Sequence, residues 1–261
     1  MSQLRGAEKF IQDVVREAGD AVMKRFGKDG VHYTKSDRIW DVVTKSDILS
    51  EKIIISRIQK KYPEHSIISE ERGDVNEGAE YVWIIDPIDG TLNYSRGVPA
   101  FGVMVCLVRS GEVVLSAINM PATKELFFAQ AGKGTYCNGK RVRCSEEKRL
   151  PNSFGTGSTS MSERSARFLT NLIREGDGTH MMYGSFASMA NNACYAASGK
   201  RDWIVALNGN IWDFAPAYLM LKEAGCKVTD TKGKQWRFGM LEFVAANSAL
   251  HKQLLKLTKN I

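Results

Sequence analysis

The stretch Tyr81-Val82-Trp83-Ile84-Ile85-Asp86-Pro87-Ile88-Asp89-Gly90-Thr91 decides how this chain is read. Its first five residues are aromatic or aliphatic, which predicts a strand too apolar for a solvent-facing edge. The apolar run then stops at two carboxylates three residues apart. Carboxylates at the end of a buried strand are costly unless a positive charge offsets them. A divalent cation does this, and hard cations take carboxylate and carbonyl oxygens. Pro87 stiffens the turn between the aspartates, and Gly90 allows the backbone to approach a ligand closely. The N–H groups of Gly90 and Thr91 are then placed to cradle a phosphate. An isolated Asp-Gly would be read as a hairpin turn, but the six-residue run Asp86 to Thr91 is too specific for that.

Two further acidic sites lie outside this run. Glu70-Glu71 follows the short strand candidate Ser66-Ile67-Ile68. Asp213, in Trp212-Asp213-Phe214, sits at the start of an apolar helix, where an ordinary role would be N-cap. Separately, each is unremarkable. Together with Asp86 and Asp89 they supply enough carboxylates for a two-cation site. The set contains oxygen donors and no His or Cys, which favours Mg²⁺ over Zn²⁺.

Upstream, apolar residues from Leu4 to Phe26 recur at helical spacing, predicting a long amphipathic helix that ends near Gly27. A second helix is expected from about Asp47 to before Pro63, with Ile48, Ile54, Ile55 and Ile58 inward. Downstream, 101–108 and 112–118 read as a hairpin through Ser110-Gly111, followed by a strand at 125–130. Turns are expected at Gly132-Lys133-Gly134 and Asn138-Gly139. After Arg143 the pattern changes. A Gly/Ser/Thr-rich segment covers 151–162, and helices are expected at 162–175, 187–198 and 213–223, with a last one from Ser248. Strands are expected at 202–207, 226–229 and 241–246. The whole of 1–261 is therefore expected to form one domain, an α+β lobe of about residues 1–145 fused to an α/β lobe of about 146–261.

Bulk properties narrow the class. The chain has 261 residues, 43% hydrophobic and 25% charged, enough to bury a sizeable core. No apolar run approaches the roughly 20 residues of a transmembrane helix, and no membrane association is expected. Five cysteines, an odd number with no Cys-x-x-Cys spacing, argue against a disulfide framework or zinc site and for a cytoplasmic location. The net charge of +7 favours anionic partners. Lysines are spread along the chain, and short clusters such as Lys140-Arg141-Val142-Arg143 lack interleaved aromatics, so a dedicated nucleic-acid face is not expected.

These motifs carry a resemblance. Asp41-Val42-Val43-Thr44-Lys45-Ser46-Asp47, Ile68-Ser69-Glu70-Glu71, Trp83 to Asn93, Gly132 to Gly139 and Trp212-Asp213 through Gly225 resemble the inositol monophosphatase family, within the larger group that includes fructose-1,6-bisphosphatases. The resemblance spans almost the whole chain. It implies a layered αβαβα sandwich, a homodimer, and Mg²⁺-dependent hydrolysis of a small alcohol phosphate with two or three ions. It implies Glu70, Asp86, the Ile88 carbonyl, Asp89 and Asp213 as metal ligands, and Gly90 and Thr91 as the phosphate-binding turn. Asp47 and Thr91, with Glu70, would be catalytic by activating the attacking water. Asp89, Ser188, Ala206 and Asp213 would contact the substrate.

The sequence departs from the family around the alcohol. Ala187-Ser188-Met189-Ala190 stands where the family usually carries Gly-(Ser/Thr)-Ala-Ala. Ala206 stands where inositol phosphatases place a hydroxyl-binding Glu. Inositol monophosphate is therefore the default substrate, with a sugar phosphate such as fructose 1,6-bisphosphate, histidinol phosphate or a 3′-phosphonucleotide as alternatives. A binding role towards RNA or the transcription machinery on the same scaffold is the reading from another class.

Overall fold

A computed structural model describes residues 6–38, 41–75, 79–157, 162–259 and 261. The chain folds into five layers. Helices α1 (Ala7–Met23) and α2 (Lys45–Lys61) form the first layer. A short ladder, β1 (Tyr33–Thr34) with β2 (Val42–Val43), joins them. The second layer is an eight-stranded sheet of β3 (Ser66–Ser69), β4 (Gly73–Val75), β5 (Tyr81–Asp89), β6 (Gly102–Arg109), β7 (Glu112–Met120), β8 (Glu125–Gln130), β9 (Gly134–Cys137) and β10 (Lys140–Val142). Its order is β10-β9-β8-β7-β6-β5-β3-β4, and only β3 and β5 run parallel.

The period-2 alternation of strands builds the layers. Tyr81, Trp83 and Ile85 of β5 and Val103, Val105 and Leu107 of β6 face α1 and α2. Ile84, Met104, Cys106 and Ile118 face the opposite way, towards α5 (Met189–Ala197) and α6 (Ile211–Glu223). Those two helices form the central layer. Beyond them lies a five-stranded sheet of β11 (Phe154–Gly157), β12 (Met182–Tyr183), β13 (Trp203–Ala206), β14 (Lys227–Thr229) and β15 (Phe243–Ala246), in the order β12-β11-β13-β15-β14. Its outer face packs Trp203, Val205, Val244 and Ala246 against α4 (Glu163–Gly176) and α7 (Ser248–Thr258). A five-residue helix, α3 (Thr91–Ser95), follows β5 directly.

Most expected elements are present, and the differences have physical reasons. The Ser110-Gly111 and Asn138-Gly139 turns both place two successive residues at positive φ, as a two-residue hairpin requires. Leu4, expected in the first helix, lies outside the described residues. The segment 154–157, not expected as a strand, is β11. Its glycines are needed there, since a Cβ on Gly155 would lie 2.0 Å from the Trp203 ring. Ile48 is not inward. It is 43% exposed, because α2 buries Asp47, Ser50, Glu51, Ile54, Ile55 and Ile58, and Ile48 lies off that stripe.

Candidate active site

Two residues three apart on a regular strand point to opposite faces. The backbone of β5 removes that difficulty. Asp86 pairs with Met104 and Asp89 with Gly102, so three steps on β5 oppose two on β6. This bulge at Pro87-Ile88 brings both carboxylates to one end of the central layer. The carbonyl of Pro87 is pinned by the Ser50 hydroxyl at 2.7 Å, which ties the bulge to α2.

Asp213 arrives from α6. It is the third residue of that helix rather than its N-cap, because Asn210 occupies the cap, and the Asp213 carboxylate accepts the Asn210 N–H at 2.6 Å. Asp86, Asp89 and Asp213 each offer a carboxylate oxygen within 4.8 Å of the others. Asp86 is 2% exposed, and its buried Oδ1 has no hydrogen-bond partner. Burial pushes the Asp86 carboxyl well above the usual range, and the charges of Glu70, Asp89 and Asp213 add to it. Burial, with the Asp89 charge, pushes Asp213 up to about 8. An orphaned oxygen, mutually repelling carboxylates and an all-oxygen donor set fit a hard divalent cation.

Asp89 has a second function in the fold. It accepts the Met189 N–H at 2.9 Å, the Ala190 N–H at 2.8 Å and the Ser188 hydroxyl, so it caps the start of α5. Burial raises its carboxyl, and these three donors oppose the shift. Glu70 faces the same cleft, and Lys35 reaches it at 3.0 Å and Glu71 at 2.7 Å. Burial raises the Glu70 carboxyl while the Lys35 ammonium pulls it back. Sequence reasoning missed Lys35, which lies 35 residues from its partner and in no motif.

Gly90 and Thr91, expected to bind phosphate, form a tight turn at the end of β5. Gly90 has φ 82°, and a Cβ there would lie 2.9 Å from the Ala100 carbonyl and 3.1 Å from Ser188 Cβ. The turn starts α3, whose first amides have no acceptor within the helix. The Thr91 hydroxyl lies 3.0 Å from Asp47 Oδ1 and 2.7 Å from the Ile88 carbonyl. It has one proton for two acceptors. A cation drawing on the Ile88 oxygen would leave that proton to Asp47. Asp47 is fully buried and also accepts the Thr44 N–H and hydroxyl at 2.8 and 2.6 Å. Burial pushes its carboxyl up to about 6, against those hydrogen bonds.

Glu70, Asp86, Ile88, Asp89, Gly90, Thr91 and Asp213 line a cleft of about 490 Å³, walled also by Ser188, Met189, Asn208 and Trp212, with Asp47 buried behind Thr91. Ser188 is N-cap of α5, and its hydroxyl is committed to Asp89 and the Asn191 amide. Ala206 does not reach the cleft. It is fully buried in the central core opposite Phe243, and Asn208, two residues on, lines the wall instead. Ala187, which the resemblance sets against a family glycine, has φ 50°, a left-handed backbone that disfavours side chains.

A family model described as the inositol monophosphatase family matches residues 4–261. A Thermotoga maritima protein named fructose-1,6-bisphosphatase/inositol-1-monophosphatase is 31% identical over 253 residues, 97% of this chain and 95% of its own. A Pseudomonas aeruginosa protein named Nus factor SuhB is 31% identical over 247 residues, 92% of this chain and 91% of its own. The crystal structure of the extragenic suppressor protein suhB from Bartonella henselae superposes with a TM-score of 0.89 at 28% identity, covering 98% of this chain and 99% of that one.

Proposed function

The chain belongs to the inositol monophosphatase family and is a phosphoric monoester hydrolase, and on that premise we propose that it hydrolyses a small alcohol phosphate with Mg²⁺, myo-inositol 1-phosphate being the default substrate. The observation that carries this reading is the Asp86–Asp89–Asp213 cluster, with its unpartnered Asp86 oxygen, beside the amides of the Gly90-Thr91 turn. Asp86, Asp89 and Asp213 would hold the cation, with Glu70 and the Ile88 carbonyl completing a second position. A bound divalent cation supplies a lowered pKa for water at the site and offsets charge on the phosphoryl and leaving oxygens.

The chain's own residues do the rest. The amides at the start of α3 bind phosphoryl oxygens and orient phosphorus towards the carboxylates. Thr91 donates its proton to Asp47, which leaves a hydroxyl lone pair to accept a hydrogen bond from the attacking water. Asp47, held by Thr44, fixes the threonine and takes up proton density. Met189 and Trp212 offer apolar surface to the alcohol, and Asn208 lines the same wall.

The buried Ala206 supplies no carboxylate to a polyol, so sugar phosphates, including fructose 1,6-bisphosphate, histidinol phosphate and 3′-phosphonucleotides stay in the screen. The deciding experiment measures phosphate release across these and inositol phosphates, with Mg²⁺ and after chelation. Release is expected to vanish with chelator and return with Mg²⁺. Turnover that survives exhaustive chelation would refute the mechanism. The family resemblance also leads us to propose a homodimer, which sedimentation would check, and the odd cysteine count without Cys-x-x-Cys spacing leads us to propose a reducing cytoplasm.

One observation favours a second reading. A relative matching almost the whole chain is named Nus factor SuhB, and this chain carries a net charge of +7. A role on the transcription machinery would predict RNA binding that falls steeply with salt, which filter binding measures.

A further inference from the structure

One buried acidic side chain near the cleft is not used by the mechanism above. Glu51 is 5% exposed and lies on α2, one helical turn beyond Asp47. A buried carboxylate is costly unless donors surround it. A single Glu51 oxygen, Oε1, accepts three hydrogen bonds: from the Ser69 hydroxyl, the Glu71 N–H at 3.1 Å and the Arg72 N–H at 3.2 Å. All three donors flank Glu70. On the strand side, Glu70 is held by its own N–H to the Ile85 carbonyl at 3.3 Å. The turn that projects Glu70 into the cleft is thus fixed at one end by the β3–β5 ladder and at the other by Glu51.

The neighbours of Glu51 on α2 have matching tasks. Residues at i, i+3 and i+4 share a helix face. On this face Asp47 meets Thr91, Ser50 holds the Pro87 carbonyl of the bulge, and Glu51 holds the Glu70 turn. One polar stripe therefore sets three parts of the site in register.

We propose that Glu51 is a positioning residue for divalent-cation binding, acting through the Ser69–Arg72 turn to aim Glu70 at the cleft. It touches neither substrate nor cation, and its function is to accept. A glutamine can accept the same three hydrogen bonds through its own Oε1, whereas an apolar side chain of similar length leaves the Glu71 and Arg72 amides and the Ser69 hydroxyl without their acceptor. The proposal rests on Glu70 being a cation ligand.

The test measures Mg²⁺ binding to the full chain directly, by calorimetry and by the Mg²⁺-induced shift in melting temperature, alongside the Mg²⁺ dependence of phosphate release. Glu51→Met is expected to weaken Mg²⁺ binding about tenfold or more, with substrate KM at saturating Mg²⁺ near that of wild type. Glu51→Gln is expected to stay within about threefold of wild type. Wild-type affinity in Glu51→Met, or an equal loss in Glu51→Gln, overturns the proposal. If Glu51→Met does not fold, Ser69→Ala carries the test. It removes one donor without touching Glu51, and unchanged Mg²⁺ affinity there overturns the proposal too. Glu70→Gln separates the two levels. If it also binds Mg²⁺ like wild type, the ligand assignment of Glu70 has failed; if it alone is impaired, only the role of Glu51 has.

Discussion

Replacing Asp213 by Asn should make the cation-free protein more stable while removing its activity. Asp213 is a sharper probe than Asp89, because Asp89 also caps α5 and its loss would disturb that helix. The Asp213 carboxyl is pushed from 3.8 to about 8 by burial and the Asp89 charge. Each unit is worth about 1.4 kcal/mol, so at pH 7.5 the shift costs the folded state roughly 5 kcal/mol relative to an unfolded chain in which the group is ionised. The side chain is only partly buried in the cleft, and solvent screening reduces this to about 2 kcal/mol. Asn keeps an acceptor for the Asn210 N–H, so little is lost in exchange.

At about 2–3 °C per kcal/mol for a chain of this size, Asp213→Asn should melt about 4–6 °C above wild type in chelator at pH 7.5. The gain has a defined pH dependence. A carboxyl raised in the folded state keeps a proton that the unfolded chain has released, so wild-type stability falls as pH rises from about 4 to about 8. The advantage of the variant should therefore shrink towards zero near pH 4. Saturating Mg²⁺ should reverse the order, since a ligand at 100 times its Kd adds about 2.7 kcal/mol to wild type alone. Phosphate release should fall at least about 100-fold. Differential scanning calorimetry with and without Mg²⁺ reads all of this. A variant less stable than wild type in chelator, with an undiminished Mg²⁺ shift, would refute the account of the cluster.

Two further outcomes follow from the same geometry. Asp47, raised to about 6, is a strong acceptor for Thr91 and a base only when ionised, so kcat should fall on the acid side with a midpoint at or below about 6, and Asp47→Asn should abolish that limb along with most of the activity. Ala187→Gly relieves a left-handed φ of 50°, and its urea midpoint should rise by the equivalent of about 0.5 kcal/mol, the relieved strain exceeding the added freedom of the unfolded chain; a lower midpoint would contradict this.

What the chain wrote into its sequence is local. The run Asp86 to Thr91 holds two candidate cation ligands and the turn proposed to bind phosphate within six residues, so adjacent chemistry was enough to propose them, whereas the bulge at Pro87-Ile88 appeared only in the strand register. The hairpins at Ser110-Gly111 and Asn138-Gly139 were legible because their turns demand positive φ in successive residues. The helical periodicity of α1 was legible for the same kind of reason. What tertiary structure alone decided lies across long separations. Lys35 meets Glu70 across 35 residues, and Glu51 meets the turn after Glu70 from 20 residues away. Asp89 caps a helix 100 residues downstream. Periodicity put Ile48 inside and motif alignment put Ala206 at the substrate, whereas packing turned Ile48 to solvent and sealed Ala206 in the core. Backbone propensities and turn chemistry act between neighbours in the chain, and so appear in its sequence. The partner of a buried polar group is chosen by which layers the fold stacks together, and no spacing along the chain records that choice.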